Sequence, residues 1–195
     1  MKILILGAGV IGSLYAAKLY DADGDVILLA RGGRYDELLG HGVRAKDVST
    51  GAETISRVPV TRTLASTDAY DLVIITVRLD QLDSAAALLK SNTASPLVLC
   101  MCNNPDGMER LARVLAPRRV LFGFPGAGGT RVGDGIHYIR IAKQRTTIGT
   151  ADGSIPGELG LIKSLFEKAG FRTEVSSRMQ AWLQVHAVFM AVVSA

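Results

Sequence analysis

The chain has 195 residues, enough for one sizeable core but short for two full domains. Hydrophobic residues make up 48% and charged residues 21%, an ordinary globular balance, and no apolar run reaches the ~18 residues that a membrane span needs. The net charge of +4 is spread over scattered arginines with few aromatics, which argues against nucleic acid as a partner and leaves a mild positive field suited to an anionic ligand.

Lys2 and the apolar run after it imitate a secretory signal, but Gly7, Gly9 and Gly12 break the run and a periodic pattern continues to Leu19. Ile3 to Leu6 reads instead as a strand buried on both faces. Val10 to Tyr20 reads as a helix, and Asp21 to Asp25 as a polar turn. Val26 to Ala30 is a second apolar strand. These first thirty residues make one βαβ unit.

The alternation continues. Val43 to Val60 is a β-rich excursion with a turn at Ser49-Thr50-Gly51. Strands follow at Leu72–Val77, Leu97–Met101 and Val120–Phe124, with helices at Gln81–Lys90 and Gly107–Leu115 between them. Strands alternating with helices predict a parallel sheet covered on both faces. Gly126, Gly128 and Gly129 then suggest a loose loop, and Ile136–Ile141 with Thr146–Ile148 an antiparallel hairpin. Glu158–Ala169 is an amphipathic helix stopped by Gly170, and Phe171–Val175 a short strand. Ser176 or Ser177 can cap a last helix from Arg178 onward.

That last helix is apolar almost all round from Val185, with Trp182, Phe189, Val192 and Val193 on one side and Val188, Met190 and Ala191 filling the others. Such a helix needs cover. The expected division is 1–175 as a dinucleotide-binding domain and 176–195 as the start of an incomplete helical domain, with a homodimer contact through the helix. The fold class is thus α/β: a Rossmann-type, doubly wound, mostly parallel sheet with an added antiparallel hairpin and a trailing helix.

Gly7-Ala8-Gly9-Val10-Ile11-Gly12 has GxGxxG spacing, and its context carries more weight than the spacing. It follows a strand, opens a helix and sits in a βαβ unit, as a pyrophosphate cradle requires. The helix N-terminus adds free N–H groups for the phosphates. The bland alternative is a structural glycine turn. At the end of the second strand, where a carboxylate would hold the ribose 2′-hydroxyl of NAD, the sequence places Arg31. A guanidinium there suits the 2′-phosphate of NADP; a solvated loop arginine is the alternative.

Cys100 and Cys102 are too close for a structural disulfide and too few for a metal site. They read as small buried hydrophobes in a reducing compartment, and a cytoplasmic location is expected. His41, His137 and His186 lack ligand spacing, so no metal is expected.

The segment GAGVIGSLYAAKL…GDVILLARG resembles the start of the ketopantoate reductases (2-dehydropantoate 2-reductases). Further matches follow in order. Thr76-Val77-Arg78-Leu79-Asp80-Gln81 is similar to the family's T-x-K-x-x-Q with arginine for lysine, and Cys102 to Glu109 is similar to its [HQ]-N-G…E segment, with Asn104 in place of the glycine. Gly123 to Gly135 and Ile148-Gly149 fit its later loop and hairpin. The resemblance implies NADPH-dependent reduction of a small 2-oxo acid. It implies Arg31 and Arg78 at the 2′-phosphate and nearby groups, and Asn103 beside nicotinamide and substrate. Asn103 can equally be a turn residue capping the next helix.

The last helix departs from the family pattern. There the family reads W-x-K with asparagines four and eight residues after the lysine, which acts as general acid. Here Gln184 follows Trp182-Leu183 at the lysine position, and Val188 and Val192 stand at the asparagine positions. Glutamine donates a hydrogen bond but supplies neither a proton nor a positive charge. His186 lies about 200° round the helix from Gln184 and reads as a buried histidine rather than a replacement acid. Three functions remain open at this point: a reductase with altered substrate choice, a non-catalytic NADP-binding or sensing protein of the same fold, and another nicotinamide enzyme, such as a glycerol-3-phosphate or sugar-acid dehydrogenase, which would need a catalytic lysine in the helical domain.

Overall fold

A computed structural model describes residues 1–102, 108–116, 119–141 and 144–193, with side chains in the last helix as far as Val188. The elements run β1 (Lys2–Leu6), α1 (Val10–Asp21), β2 (Asp25–Leu29), α2 (Gly33–His41), β3 (Val43–Asp47), β4 (Glu53–Ser56), β5 (Val60–Thr61), β6 (Leu72–Ile75) and, after one 3-10 turn at Leu79–Gln81, α3 (Leu82–Ser91). They continue with β7 (Leu97–Cys100), α4 (Met108–Leu115), β8 (Arg119–Phe124), β9 (Ala127–Val132), β10 (Gly135–Arg140), β11 (Thr146–Gly149), α5 (Gly157–Lys168), β12 (Thr173–Ser176) and α6 (Met179–Val193).

An eight-stranded sheet has the order β12-β11-β8-β7-β6-β1-β2-β5. The run from β5 to β8 is parallel; β11 turns antiparallel on β8, and β12 pairs parallel with β11. β1 shows why the sheet needs cover on both sides. Ile3 and Ile5 enter a core with α1 and α5, whereas Leu4 and Leu6 enter a second core with α3, α4 and the start of α6. An unbroken apolar strand is the sequence form of that double burial.

A second sheet, β4-β3-β10-β9, packs on the outer side of α1. The helix is therefore held between two sheets. Gly12, Ser13, Leu14, Tyr15, Ala16, Ala17 and Leu19 are all buried, a set that runs round the helix instead of along one face. Tyr15 fixes its middle turn: the hydroxyl lies 2.6 Å from the Thr146 hydroxyl, and the ring stacks on Phe171 at 4.0 Å. Burial pushes the Tyr15 phenol up.

The predicted hairpin needs correction. Ile136–Arg140 does not pair with Thr146–Gly149; β10 pairs antiparallel with β9 and parallel with β3, while β11 joins the large sheet. The glycines expected to form a loose loop lie in or just before β9. Glycine is depleted in strands, which makes the segment read as a loop. Here crowding selects it: a Cβ on Gly129 would come 2.2 Å from the His137 carbonyl oxygen across the hairpin. α2 was not expected either, because Gly32 and Gly33 punctuate its start.

Cys100 and Cys102 are free and buried, and burial pushes their thiols up, to about 12 and about 11. Among the described residues no group of His, Cys, Asp and Glu could hold a metal ion, and no helix is long and apolar enough to cross a membrane.

Candidate cofactor site

Strand order reverses direction of growth at β1, which has β2 on one side and β6 on the other. In an open α/β sheet the crevice at the carboxyl ends of such strands is the natural ligand site. A cavity of about 620 Å³ opens there, walled by Leu6-Gly7-Ala8-Gly9, by Leu29-Ala30-Arg31 and by Thr76-Val77-Arg78.

The three glycines have different tasks. Gly7 takes φ +118°, a conformation that L side chains rarely adopt, and turns the chain from strand to helix. A Cβ on Gly12 would lie 1.8 Å from the Gly7 carbonyl oxygen, so this position lets α1 pack against the turn. Gly9 is free of both demands, since a Cβ there would meet nothing within 4 Å. It faces open space on the cavity wall at the N-terminus of α1, which has no side-chain cap and no acidic residue in its first turn. The first N–H groups of Val10, Ile11 and Gly12 have no intrahelical partner and are available to an anion. Thr76 steadies the turn by donating from Oγ1 to the Gly7 carbonyl at 2.9 Å.

Arg31 stands exposed at the end of β2 and lines the cavity. Among the described residues it has no hydrogen-bond or ion-pair partner. Arg78 also lines the cavity, but its guanidinium forms a two-pronged pair with Asp80, Nε to Oδ1 at 2.9 Å and Nη2 to Oδ2 at 2.6 Å. That pairing holds the Asp80 carboxyl below the usual carboxylate range.

Sequence reasoning missed Arg34. Its side chain is 9% exposed and ties four elements together. Nε donates to the Ala8 carbonyl at 3.3 Å, Nη2 to Ser13 Oγ at 3.2 Å, and Nη1 to the Asp134 carbonyl at 2.7 Å and to Glu37 at 3.1 Å. It thereby braces the glycine turn against α2 and the β9–β10 turn. The signal available in the sequence was the Arg34–Glu37 spacing, a first-turn i, i+3 pair of a helix.

The catalytic candidates fare differently. Asn103 lies outside the described residues. Gln184 is exposed on α6 and is absent from the walls of the glycine cavity. α6 is anchored by buried Met179 and Leu183. Ser176 caps its approach by accepting the Arg178 N–H at 3.1 Å. His186 stacks on Trp182 at 5.0 Å and lies 4.0 Å from the Phe124 ring, and burial holds its pKa below the ordinary value. His186 is half-buried against these rings, not fully buried as expected, and does not line the glycine cavity. Val185 and Val188 are 71% and 66% exposed.

A glycine turn on a bare helix N-terminus, at the reversal point of a parallel sheet and beside an unpaired arginine, is the arrangement of a Rossmann-type α/β fold. The chain belongs to the ketopantoate reductase PanE/ApbA family, whose sequence pattern matches residues 3–153. It is 28% identical over 193 residues to 2-dehydropantoate 2-reductase of Archaeoglobus fulgidus, covering 99% of this chain and 62% of that protein. The crystal structure of 2-dehydropantoate 2-reductase from Methylococcus capsulatus shares the fold with a TM-score of 0.83 at 21% identity, covering 100% of this chain and 65% of that one. D-mandelate dehydrogenase, solved with NADH and anilino(oxo)acetate, shares it with a TM-score of 0.73 at 21% identity, covering 90% of this chain and 57% of that one. The chain spans about three fifths of the length of the curated relatives it matches.

Proposed function

We propose that this chain is the NADP-binding part of a reductase acting on a small 2-oxo acid. The observation that carries the cofactor choice is Arg31: an unpaired guanidinium at the end of β2, on the wall of the glycine cavity, where NAD selection would call for a carboxylate. D-mandelate dehydrogenase with NADH has the same fold, so the fold by itself leaves that choice to such residues.

In this reading Gly7, Ala8, Gly9 and the N–H groups of Val10, Ile11 and Gly12 receive the pyrophosphate, and Arg31 and Arg78 receive the 2′-phosphate and its surroundings. Bound there, NADPH supplies the hydride. Asn103 orients the carbonyl, and Gln184 donates a hydrogen bond to its oxygen. Residues 1–175 form the cofactor domain and 176–195 begin the helical part, through which two copies associate. Replacing a lysine by Gln184 removes a cation worth about 3 kcal/mol to a developing oxyanion, so the preferred substrate differs from ketopantoate.

One observation favours the second reading, a non-catalytic NADP-binding or sensing protein: Gln184 and Val188 leave the family's polar helix face without proton donor or cation. The two separate on one assay. Oxidation of NADPH by the protein is followed against a panel of 2-oxo acids. Turnover with any of them supports the reductase; tight NADPH binding with no turnover supports the sensor; absence of nucleotide binding contradicts both.

A further inference from the structure

The second sheet contributes a side chain to the cofactor cavity. Across the β9–β10 pairing Arg131 stands opposite Ile136, so it shares the face that packs on α1. From there its guanidinium reaches the cavity wall alongside Arg31 and Arg34. Arg131 Nη2 donates to Glu37 Oε2 at 2.5 Å, and Arg34 Nη1 donates to the same oxygen at 3.1 Å. Two guanidiniums bracket one carboxylate oxygen, and the third, Arg31, is unpaired among the described residues.

The two arginines on Glu37 differ in commitment. Arg34 is nearly buried and is held by two backbone carbonyls and a hydroxyl. Arg131 is 46% exposed, and Glu37 is its sole side-chain partner among the described residues. An exposed pair of this kind is weak and exchanges readily for a better anion. A phosphate monoester carries close to two charges and three strong acceptor oxygens, and so outcompetes one half-exposed carboxylate for a guanidinium fork.

We propose that Arg131 is a second ligand of the dinucleotide 2′-phosphate, with Glu37 holding its place until the phosphate arrives. The inference rests on the NADP reading of the cavity given above. It assigns part of the cofactor choice to β9, about 120 positions from the glycine turn, and gives the second sheet a task beyond covering α1. NADH, which has no 2′-phosphate, leaves the Arg131–Glu37 pair intact and gains nothing from it.

The test is calorimetric titration of the wild-type chain, Arg131→Ala, Arg131→Lys and Glu37→Gln with NADPH, NADH and adenosine 2′,5′-bisphosphate. Arg131→Ala is expected to weaken NADPH and the bisphosphate about tenfold while changing NADH less than about twofold. Unchanged NADH binding also shows that the variant is folded. Arg131→Lys recovers part of the loss, and Glu37→Gln, which removes the competing charge, tightens NADPH. Unaltered NADPH binding in Arg131→Ala overturns the inference but leaves the NADP reading standing, provided the wild type prefers NADPH. Equal losses for NADPH and NADH overturn it too, because Arg131 would then merely prop the cavity. Weaker NADPH binding in Glu37→Gln overturns the place-holding role. Equal wild-type affinity for NADPH and NADH removes the NADP reading and this inference together.

Discussion

The glycine turn and α6 are both places where the family resemblance predicts chemistry, and they keep very different shares of it. At the turn, Gly7 takes its positive φ, Gly12 leaves room for its own backbone, Gly9 faces open space and Arg31 stands unpaired beside it. On α6, the helix is seated by Met179 and Leu183 while Gln184 and Val188 face outward with neither charge nor proton. The proposed cofactor contacts lie in one continuous βαβ unit. The proposed substrate contacts lie on a separate helix, on a face that carries Gln184 and Val188. The difference teaches that the two proposed tasks rest on separate elements, so a substitution on one can be tested without disturbing the other.

The contrast can be broken or sharpened by substitution. The largest effect is expected at Gly12, where a methyl group would sit 1.8 Å from a backbone oxygen. Gly12→Ala should cost at least ~3 kcal/mol, read as a large fall in Tm or failure to fold. Leu183→Ala, which empties a fully buried position on α6, should cost about 2–5 kcal/mol in denaturant unfolding. Gly9→Ala separates function from fold: stability stays within about 0.5 kcal/mol, and nucleotide affinity falls at least about tenfold. A loss of stability at Gly9 as large as at Gly12 would show that both glycines serve packing alone.

Smaller effects are expected at His186 and Gln184 on α6. Burial lowers the His186 pKa from its ordinary 6.5, so the unfolded chain binds that proton more readily. Stability tied to His186 is therefore complete above about pH 6.5 and declines as the pH falls below it. Replacement by phenylalanine should flatten this limb of the Tm–pH curve. Gln184→Ala should change neither Tm nor NADPH affinity measurably, since the side chain is exposed and away from the cavity.

How much was legible in the sequence follows the same divide. The β1–α1–β2 unit could be read because its glycines, apolar strand and arginine lie within thirty consecutive positions. The second sheet could not, because β10 pairs with β3 some ninety positions earlier, and because Gly129 looks like a loop residue until its crowded neighbour is seen. α2 was hidden by Gly32 and Gly33, and with it the bracing role of Arg34. Arg131 gave no local sign at all: its approach to the cavity depends on which face of β9 meets α1. The α6 positions were identifiable by spacing from Trp182, but their outward direction is a property of the packing of Met179 and Leu183.

The central claim is that the cavity between β1, β2 and β6 selects NADP through Arg31. The most direct measurement is the ratio of NADH to NADPH dissociation constants for the wild-type chain and for Arg31→Ala. The structure predicts a strong wild-type preference for NADPH that falls at least about tenfold in the variant, with NADH affinity nearly unchanged. Equal wild-type affinities, or a preference that survives the loss of Arg31, would contradict it.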